Sequence, residues 1–281
     1  MCKNGYLLHV TYHILHITSI VSQSVNWRIG SLVNWRIDKF MKKNGLIIAI
    51  DGPAAVGKST MGKLIARELG HTYIDTGAIY RAITWKVLKN NIDINDENMI
   101  SDIVSNTCIT IKKTNTNSLK DYYHIFVDEE DVTEKIRDPK IDRNVSQIAR
   151  LPKIRKQLIH LQRKLAKKGN IVMEGRDIGS VILPKADLKL YFTASEEERI
   201  KRRYKELIDK GYNLDYEEVK KQIVQRDKID SKRKYAPLIR AKDAILIDST
   251  EKSIEEVKDE ILKIIKSKKK TEEKQIENNI I

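Results

Sequence analysis

Residues 46–60 read L-I-I-A-I-D-G-P-A-A-V-G-K-S-T and lead directly into M-G-K-L-I-A-R-E-L. A short apolar run, a G-x-x-x-x-G-K-S loop and a helical pattern follow one another without a gap. Leu46–Ile50 has the composition of a buried strand, and Ser59–Leu69 has the spacing of a helix. A loop of this kind leaves the carboxyl end of a strand and enters a helix, which restricts the chain to an α/β sheet. Gly52 and Gly57 let the backbone curl until its N–H groups point inward, and such a nest on a helix N-terminus is an anion site. Gly52, Pro53, Ala54, Ala55, Val56, Gly57, Lys58, Ser59 and Thr60 are thus predicted to wrap the phosphates of a nucleotide such as ATP. Lys58 is placed to reach the outer phosphates, and the Ser59 hydroxyl to ligate Mg2+.

Beyond the loop, strand-like and helix-like stretches alternate, which predicts a parallel sheet. Helices are expected over 77–90 and 96–105. Residues 108–113 and 122–127 are β-rich and flank the turn cluster T-N-T-N-S, so they read as an antiparallel hairpin inserted into the α/β pattern. Pro152 opens a long helix with Ile154, Leu158, Leu161 and Leu165 on one face, and Gly169-Asn170 stops it. Strands are expected over 170–174, 188–192 and 244–248. Ser195-x-x-Glu198 and Ser253-x-x-Glu256 have the form of capping boxes.

The chain has 281 residues, 41% of them hydrophobic and 33% charged, the composition of a globular protein with ample length for a core. It contains no apolar run long enough to span a bilayer, so no membrane partner is expected. Its two cysteines, Cys2 and Cys108, make neither a metal-ligand pattern nor a disulfide framework, which suits the cytoplasm. Residues 1–40 differ in composition from the rest. They hold His9, His13, His16, Trp27 and Trp35, a single acid, Asp38, and V-N-W-R-I twice. The three histidines share the spacing of one helix face and are compatible with a metal. The foreign composition instead favours a disordered leader outside the domain. Residues 266–281 form a basic polar tail that is expected to fray.

Net charge is +14, and residues 199–240 carry 14 Lys/Arg against 7 Asp/Glu, half of that excess. A basic face invites a nucleic-acid reading, but the aromatic interleaving that base stacking needs is absent there. Nor do the markers of other P-loop classes occur. No Asp has Gly three residues on, no Asn-Lys pair exists, and Ala244–Asp248 reads better as the last core strand than as a metal-binding strand end. Three other motifs stand out: D-T-G-A-I-Y-R at 75–81, E-G-R-D-I-G-S at 174–180 and R-D-K-I-D-S-K-R at 226–233. Each sets arginine beside a carboxylate or hydroxyl, the pairing that recognises phosphates and sugar hydroxyls. Together with a phosphate loop they predict a second, phosphorylated substrate.

These motifs, with I-A-I-D-G-P-A-A-V-G-K-S-T, V-S-Q-I-A and I-D-S-T at 247–250, make residues 41–265 resemble the bacterial cytidylate kinases, a nucleoside monophosphate kinase family. The resemblance implies a P-loop nucleoside monophosphate kinase fold: a parallel sheet with helices on both faces, a β-rich insert at about 104–150 and a helical lid at about 195–238. It implies transfer of the γ-phosphate of ATP to CMP or dCMP with Mg2+, by a monomer that binds no nucleic acid. Carried over by motif, Lys58, Arg176, Arg226 and Arg233 would be catalytic. Thr76, Tyr80 and Arg81 would hold CMP, with Ser146, Gln147 and Arg155 in support. Arg176 and Asp177 would meet the cytosine edge, and Arg226, Asp230 and Arg233 the phosphates and ribose, with Asp230 on the ribose hydroxyls. Arg199 and Arg203 would meet ATP phosphates, and Ser249 and Thr250 would flank adenine. Thr76 stands where Ser also occurs and Ser180 where Thr is usual, and both keep a hydroxyl. The leader has no counterpart.

A CMP phosphate is already an anionic nucleophile at neutral pH, so the chemistry calls for positioning and charge neutralisation rather than a dedicated base. Two readings remain beside this one: a kinase for another monophosphate such as UMP or AMP, and a P-loop protein that binds RNA or DNA. A chain begun at Met41 is expected to keep full turnover and an unchanged melting temperature. A fall of several degrees in thermal unfolding would mean instead that the leader packs on the domain.

Overall fold

The computed structural model describes residues 45–114 and 122–278, with side chains through Thr271. The leader 1–40 and, apart from Thr114, the turn cluster of the hairpin lie outside the described residues. The chain runs through β1 (Ile47–Asp51), α1 (Lys58–Glu68), β2 (Thr72–Asp75), α2 (Thr76–Lys89) and α3 (Glu97–Ser105). The hairpin strands β3 (Ile109–Lys113) and β4 (Tyr123–Val127) and the short β5 (Glu130–Asp131) come next. They are followed by α4 (Pro139–Ala149), α5 (Pro152–Ala166), β6 (Ile171–Gly175) and β7 (Leu188–Thr193). The chain then forms α6 (Glu196–Asp209), α7 (Tyr216–Lys232), β8 (Ile245–Asp248) and α8 (Ile254–Asn278).

Five parallel strands form one sheet in the order β2-β6-β1-β7-β8, so the strand that feeds the phosphate loop is central. Ile48 of β1 sits level with Val172 on one side and Leu188 on the other. Strand alternation sends the side chains of β1 to two cores. Ile48 and Ile50 pack with Met61 and Ile65 of α1 and Val257 and Ile261 of α8. Ala49 packs on the other face with Ile79, Ile100, Ile148 and Ile154 from α2, α3, α4 and α5. The sheet is thus covered on both faces, as the family resemblance implies. The hairpin is antiparallel, with Ile111 opposite Ile125, and β5 extends it to three strands. Helices α6 and α7 have a small core of their own in Ile200, Leu207, Val219 and Ile223, with Tyr204 edge-on to Tyr216 at 5.4 Å.

Local chemistry accounts for most boundaries. Asp75 and Asp96 accept from the backbone N–H of Ala78 and Met99, both at 3.0 Å, and cap α2 and α3. The Ser253 box is reciprocal, with Glu256 N donating to Ser253 Oγ and Ser253 N donating to Glu256 Oε2. At Ser195 only half of the box forms, because Glu198 turns to Arg202 at 2.8 Å.

Several expectations need correction. β2 and α4 escape the periodicity reading. β2 is four residues long, and the polar surface of α4 hides its buried stripe of Ile141, Val145, Ile148 and Ala149. The buried face of α5 is Ile154, Arg155, Leu158, Ile159, Gln162 and Ala166, while Leu165 is 36% exposed. At 3.6 residues per turn Ile154, Leu158, Leu161 and Leu165 do share one side, but the buried face is centred further round the helix on Arg155 and Gln162, so Leu165 falls at its edge. Helix α8 runs past Ile265 to Asn278, through a stretch rich in lysine and glutamate, residues that favour helix.

One contact ties the loop helix to the sheet. A Cβ on Gly62 would stand 2.7 Å from Tyr73 Cε2, and the Tyr73 hydroxyl is held by Glu174. Gly62→Ala is therefore expected to lower stability by about 1–3 kcal/mol despite the roughly 1 kcal/mol helix preference of alanine. The check is the urea midpoint, at unchanged m-value.

Candidate active site

The phosphate loop is built by close approach. Gly52 has φ of 149°, and a Cβ there would lie 2.4 Å from the carbonyl oxygen of Phe192 on β7. Gly57, at φ of 86°, turns the chain into α1, and Ala55 is also left-handed at φ of 60°. The loop is braced from below. Ser249 Oγ donates to the Val56 carbonyl at 3.1 Å, and Arg199 reaches the Ala54 carbonyl at 3.4 Å and Asp227 at 2.5 Å. Lys58 folds back so that Nζ donates to the Pro53 carbonyl at 2.5 Å, and only 6% of the residue is exposed. Burial, reinforced by Arg176, pulls the Lys58 ammonium down to about 7. Asp51, at the end of β1, accepts from the N–H groups of Ile178 and Gly179 at 2.7 Å each, and burial pushes its carboxyl up to about 6.

Facing the loop are arginines held by buried acids. Asp177 accepts from Arg155 at 2.5 Å through one oxygen and from Arg233 at 3.2 Å through the other. Arg176, its sequence neighbour, instead pairs with Asp230 at 2.8 Å. Asp75 takes the Tyr123 hydroxyl at 3.1 Å and lies 3.8 Å from Arg81 and 3.9 Å from Arg137. Asp142 of α4 receives Arg81 at 3.0 Å, contacts Arg203 and lies 3.7 Å from Arg226. Burial alone would raise the Asp142 carboxyl, but Arg81, Arg203 and Arg226 outweigh it and hold the group below the usual carboxylate range. Burial, with Arg176 beside it, lowers Arg226 to about 10.

One cavity of about 510 Å3 joins the two walls. Ala54, Ala55, Val56, Gly57, Lys58, Ser59 and Thr60 line it from the loop. Thr76, Tyr80, Arg81, Ser146, Arg155, Arg176, Asp177, Arg203, Arg226, Asp230 and Arg233 line it from the other side. Residues that the sequence places tens of positions apart thus meet. Gly52, Pro53, Gln147, Arg199, Ser249 and Thr250 stand outside the lining. Gly52, Pro53, Arg199 and Ser249 shape the loop, and Thr250 receives the Ser195 N–H at 3.1 Å. Thr76 is spent in part on the sheet, donating to the Glu174 carbonyl at 2.7 Å.

Sequence reading missed Asp142, Arg137 and Arg202, the last of which donates to the Ser249 carbonyl at 2.6 Å. For Asp142 a signal existed. It precedes Ser146 by four residues and shares its face once α4 is recognised as a helix. As to a metal, no cluster of three His, Cys, Asp or Glu occurs among the described residues. The Ser59 hydroxyl is exposed at the cavity, and Glu174 lies buried beside Lys58. So small a set of oxygen donors fits Mg2+, which takes most of its ligands from water and substrate phosphates.

A phosphate loop on the central strand of a parallel sheet, facing an arginine wall across one cavity, defines a P-loop nucleotide-binding protein. Residues 48–267 match the family described as cytidylate kinase, and the chain belongs to that family. A cytidylate kinase of Clostridioides difficile strain 630 is 46% identical over 217 residues, covering 77% of this chain and 96% of that one. One from Caldicellulosiruptor bescii is 48% identical over 224 residues, covering 80% of this chain and 96% of its own length. The cytidylate kinase of Bacillus subtilis strain 168 is 45% identical over 223 residues, covering 79% and 97%.

The buried ammonium of Lys58 carries a stability cost with a definite sign. Its folded value lies below its unfolded 10.5, so between pH about 7 and 10.5 the unfolded chain holds the extra proton and stability rises with pH. Lys58→Met is expected to raise the melting temperature at pH 7, with the gain shrinking toward pH 10. In the same variant kcat falls by at least about a hundredfold.

Proposed function

We propose that the chain transfers the γ-phosphoryl group of ATP to CMP or dCMP, giving CDP or dCDP. The observation that carries this reading, beside family membership, is the single cavity shared by the phosphate loop and the arginine wall. ATP lies with its phosphates in the loop, and the monophosphate lies against Thr76, Tyr80, Arg81 and Ser146. Lys58, Arg176, Arg226 and Arg233 oppose the charge that two polyanions bring together, and the reaction proceeds by positioning and in-line transfer. Arg203 reaches toward the ATP phosphates, while Arg199 and Ser249 brace the loop and Thr250 holds the start of α6. Ser59, with Glu174 nearby, would hold Mg2+, which screens the phosphate oxygens and fixes their geometry when bound. Helices α6 and α7 cover the cavity and keep water from the phosphoryl group.

Each oxygen of Asp177 accepts from an arginine inside the wall of the cavity. Asp177 therefore acts by fixing Arg155 and Arg233, and Asp230 serves the ribose while it holds Arg176. Arg202, Arg203, Arg226 and Arg233 of the 199–240 segment line the cavity, which supports a phosphate-binding role for that part of the basic excess. We read the enzyme as a monomer of the cytoplasm, a setting that its two lone cysteines suit.

A turnover panel with ATP and Mg2+ tests the reading. CMP and dCMP should exceed UMP and AMP by about tenfold or more in kcat/KM, and equal use of UMP would assign a different base preference. Asp177→Ala should lower turnover of CMP and UMP by a similar factor. It should also destabilise the fold by about 3–5 kcal/mol, because it leaves two buried guanidiniums without their partner. A CMP/UMP ratio that narrows instead would show direct contact of Asp177 with the base.

A further inference from the structure

We propose that Asp51, which does not line the cavity, is a positioning residue for the monophosphate wall: it caps the turn after β6 from the neighbouring strand and so frees Asp177 to hold Arg155 and Arg233. The inference rests on the phosphoryl-transfer reading of the cavity and adds a residue that borders the phosphate loop without belonging to it.

The chain turns sharply at the end of β6. Gly175 closes that strand level with Asp51 of β1. Arg176 and Asp177 follow, and Ile178–Ile182 form one π-helical turn with Asp177 at its N-cap position. The first N–H groups of a helical turn have no partner within it. An aspartate at the N-cap ordinarily accepts from the N–H two or three residues ahead, which commits its carboxylate locally. Asp177 makes no such bond. One of its oxygens receives Arg155 and the other Arg233. The N–H groups go to Asp51 instead, with Oδ1 accepting from Ile178 and Oδ2 from Gly179 at 2.7 Å each.

The carboxylate of Asp51 is held for this task. Lys58 and Lys189 are engaged elsewhere, the first on the Pro53 carbonyl and the second on the Pro184 carbonyl and Asp243. Asp51 is only 5% exposed, and burying a carboxylate on backbone partners alone is unfavourable. The same turn could be finished by Asp177 itself, at the loss of the arginine pair. Two aspartates thus divide two tasks that one could not perform together. Asp51 completes the backbone, and Asp177 fixes two guanidiniums that line the cavity.

The test is Asp51→Asn, which keeps the shape but offers one accepting oxygen to two N–H groups. Asp177 then competes for the Gly179 N–H and loosens its hold on the arginines. Calorimetric titration should show CMP binding weaker by about tenfold or more, with ADP binding within about twofold of wild type. A double-mutant cycle separates this effect from general damage. In Asp177→Asn protein, whose arginine pairing is already weakened, Asp51→Asn should reduce CMP affinity by less than about twofold further. A larger further loss there, or equal losses of CMP and ADP in the single variant, overturns the proposal. Amide hydrogen exchange gives an independent reading should Asp51→Asn fail to fold. The Ile178 and Gly179 amides should exchange as slowly as those of β6 in the wild type, and should stay as slow in Asp177→Asn because their cap lies on β1. Fast exchange in the wild type, or protection lost in Asp177→Asn, overturns the cap. Wild-type protein that binds neither CMP nor ADP would instead count against the phosphoryl-transfer reading, and the exchange comparison would still test the cap.

Discussion

Charge compensation inside a closed space governs this molecule. A site that must accept two polyanions needs several cations, and those cations must coexist before any anion arrives. The chain solves the problem by interleaving acids with the arginines. Asp177 stands between Arg155 and Arg233, Asp230 beside Arg176, Asp75 near Arg81 and Arg137, and Asp142 among Arg81, Arg203 and Arg226. Each pair is drawn from different helices or from a helix and a strand end, so the electrostatics also fix the tertiary arrangement. Removing one member strands its partner, which in a buried setting costs more than the pair itself contributes.

The fold puts this charged assembly where the backbone can serve it. All five sheet strands run parallel, so the ends of β1, β2 and β6 open on the same side. From those ends come the phosphate loop, Asp75-Thr76 and Glu174-Gly175-Arg176-Asp177. Apolar packing on both faces is left to residues that carry no chemistry, such as Ile48, Ile50 and Phe192 on one side and Ile79, Ile100 and Ile154 on the other. The costly features are concentrated at the loop: an alanine at φ of 60°, a glycine where a Cβ would stand 2.4 Å from the Phe192 carbonyl oxygen, and a lysine buried to 6% exposure. Functional sites commonly store unfavourable conformations of this kind against a well-packed scaffold.

Much of this was legible in the sequence, and the limits have physical causes. The loop announces itself because glycine is needed where the backbone turns left-handed or approaches a neighbour, and lysine and serine are needed for phosphate and metal. The long helices and the hairpin show through their periods. What stayed hidden was whatever depended on partner choice. Arg176 and Asp177 are adjacent, yet strand alternation and the turn after β6 send them to different partners, Asp230 and Asp177's own pair of arginines. Asp142 lies on a helix whose polar surface masks its apolar stripe, and β2 is too short to carry a period. Local pattern reveals elements, whereas ion pairing across elements requires the fold.

The bracing of α6 has a mechanical corollary. The start of this helix is anchored three times: Ser195 caps it and shares Thr250, Arg199 grips the Ala54 carbonyl, and Arg202 grips the Ser249 carbonyl. Those ties reach the phosphate loop and the end of β8, both fixed parts of the sheet layer. The far half of α6 is joined instead to α7 through Leu207, Val219 and Ile223. The helix is thus tied at its root to the sheet layer and along its length to α7. Any tilt of α6 about that root carries α7 with it, because the two share one apolar core.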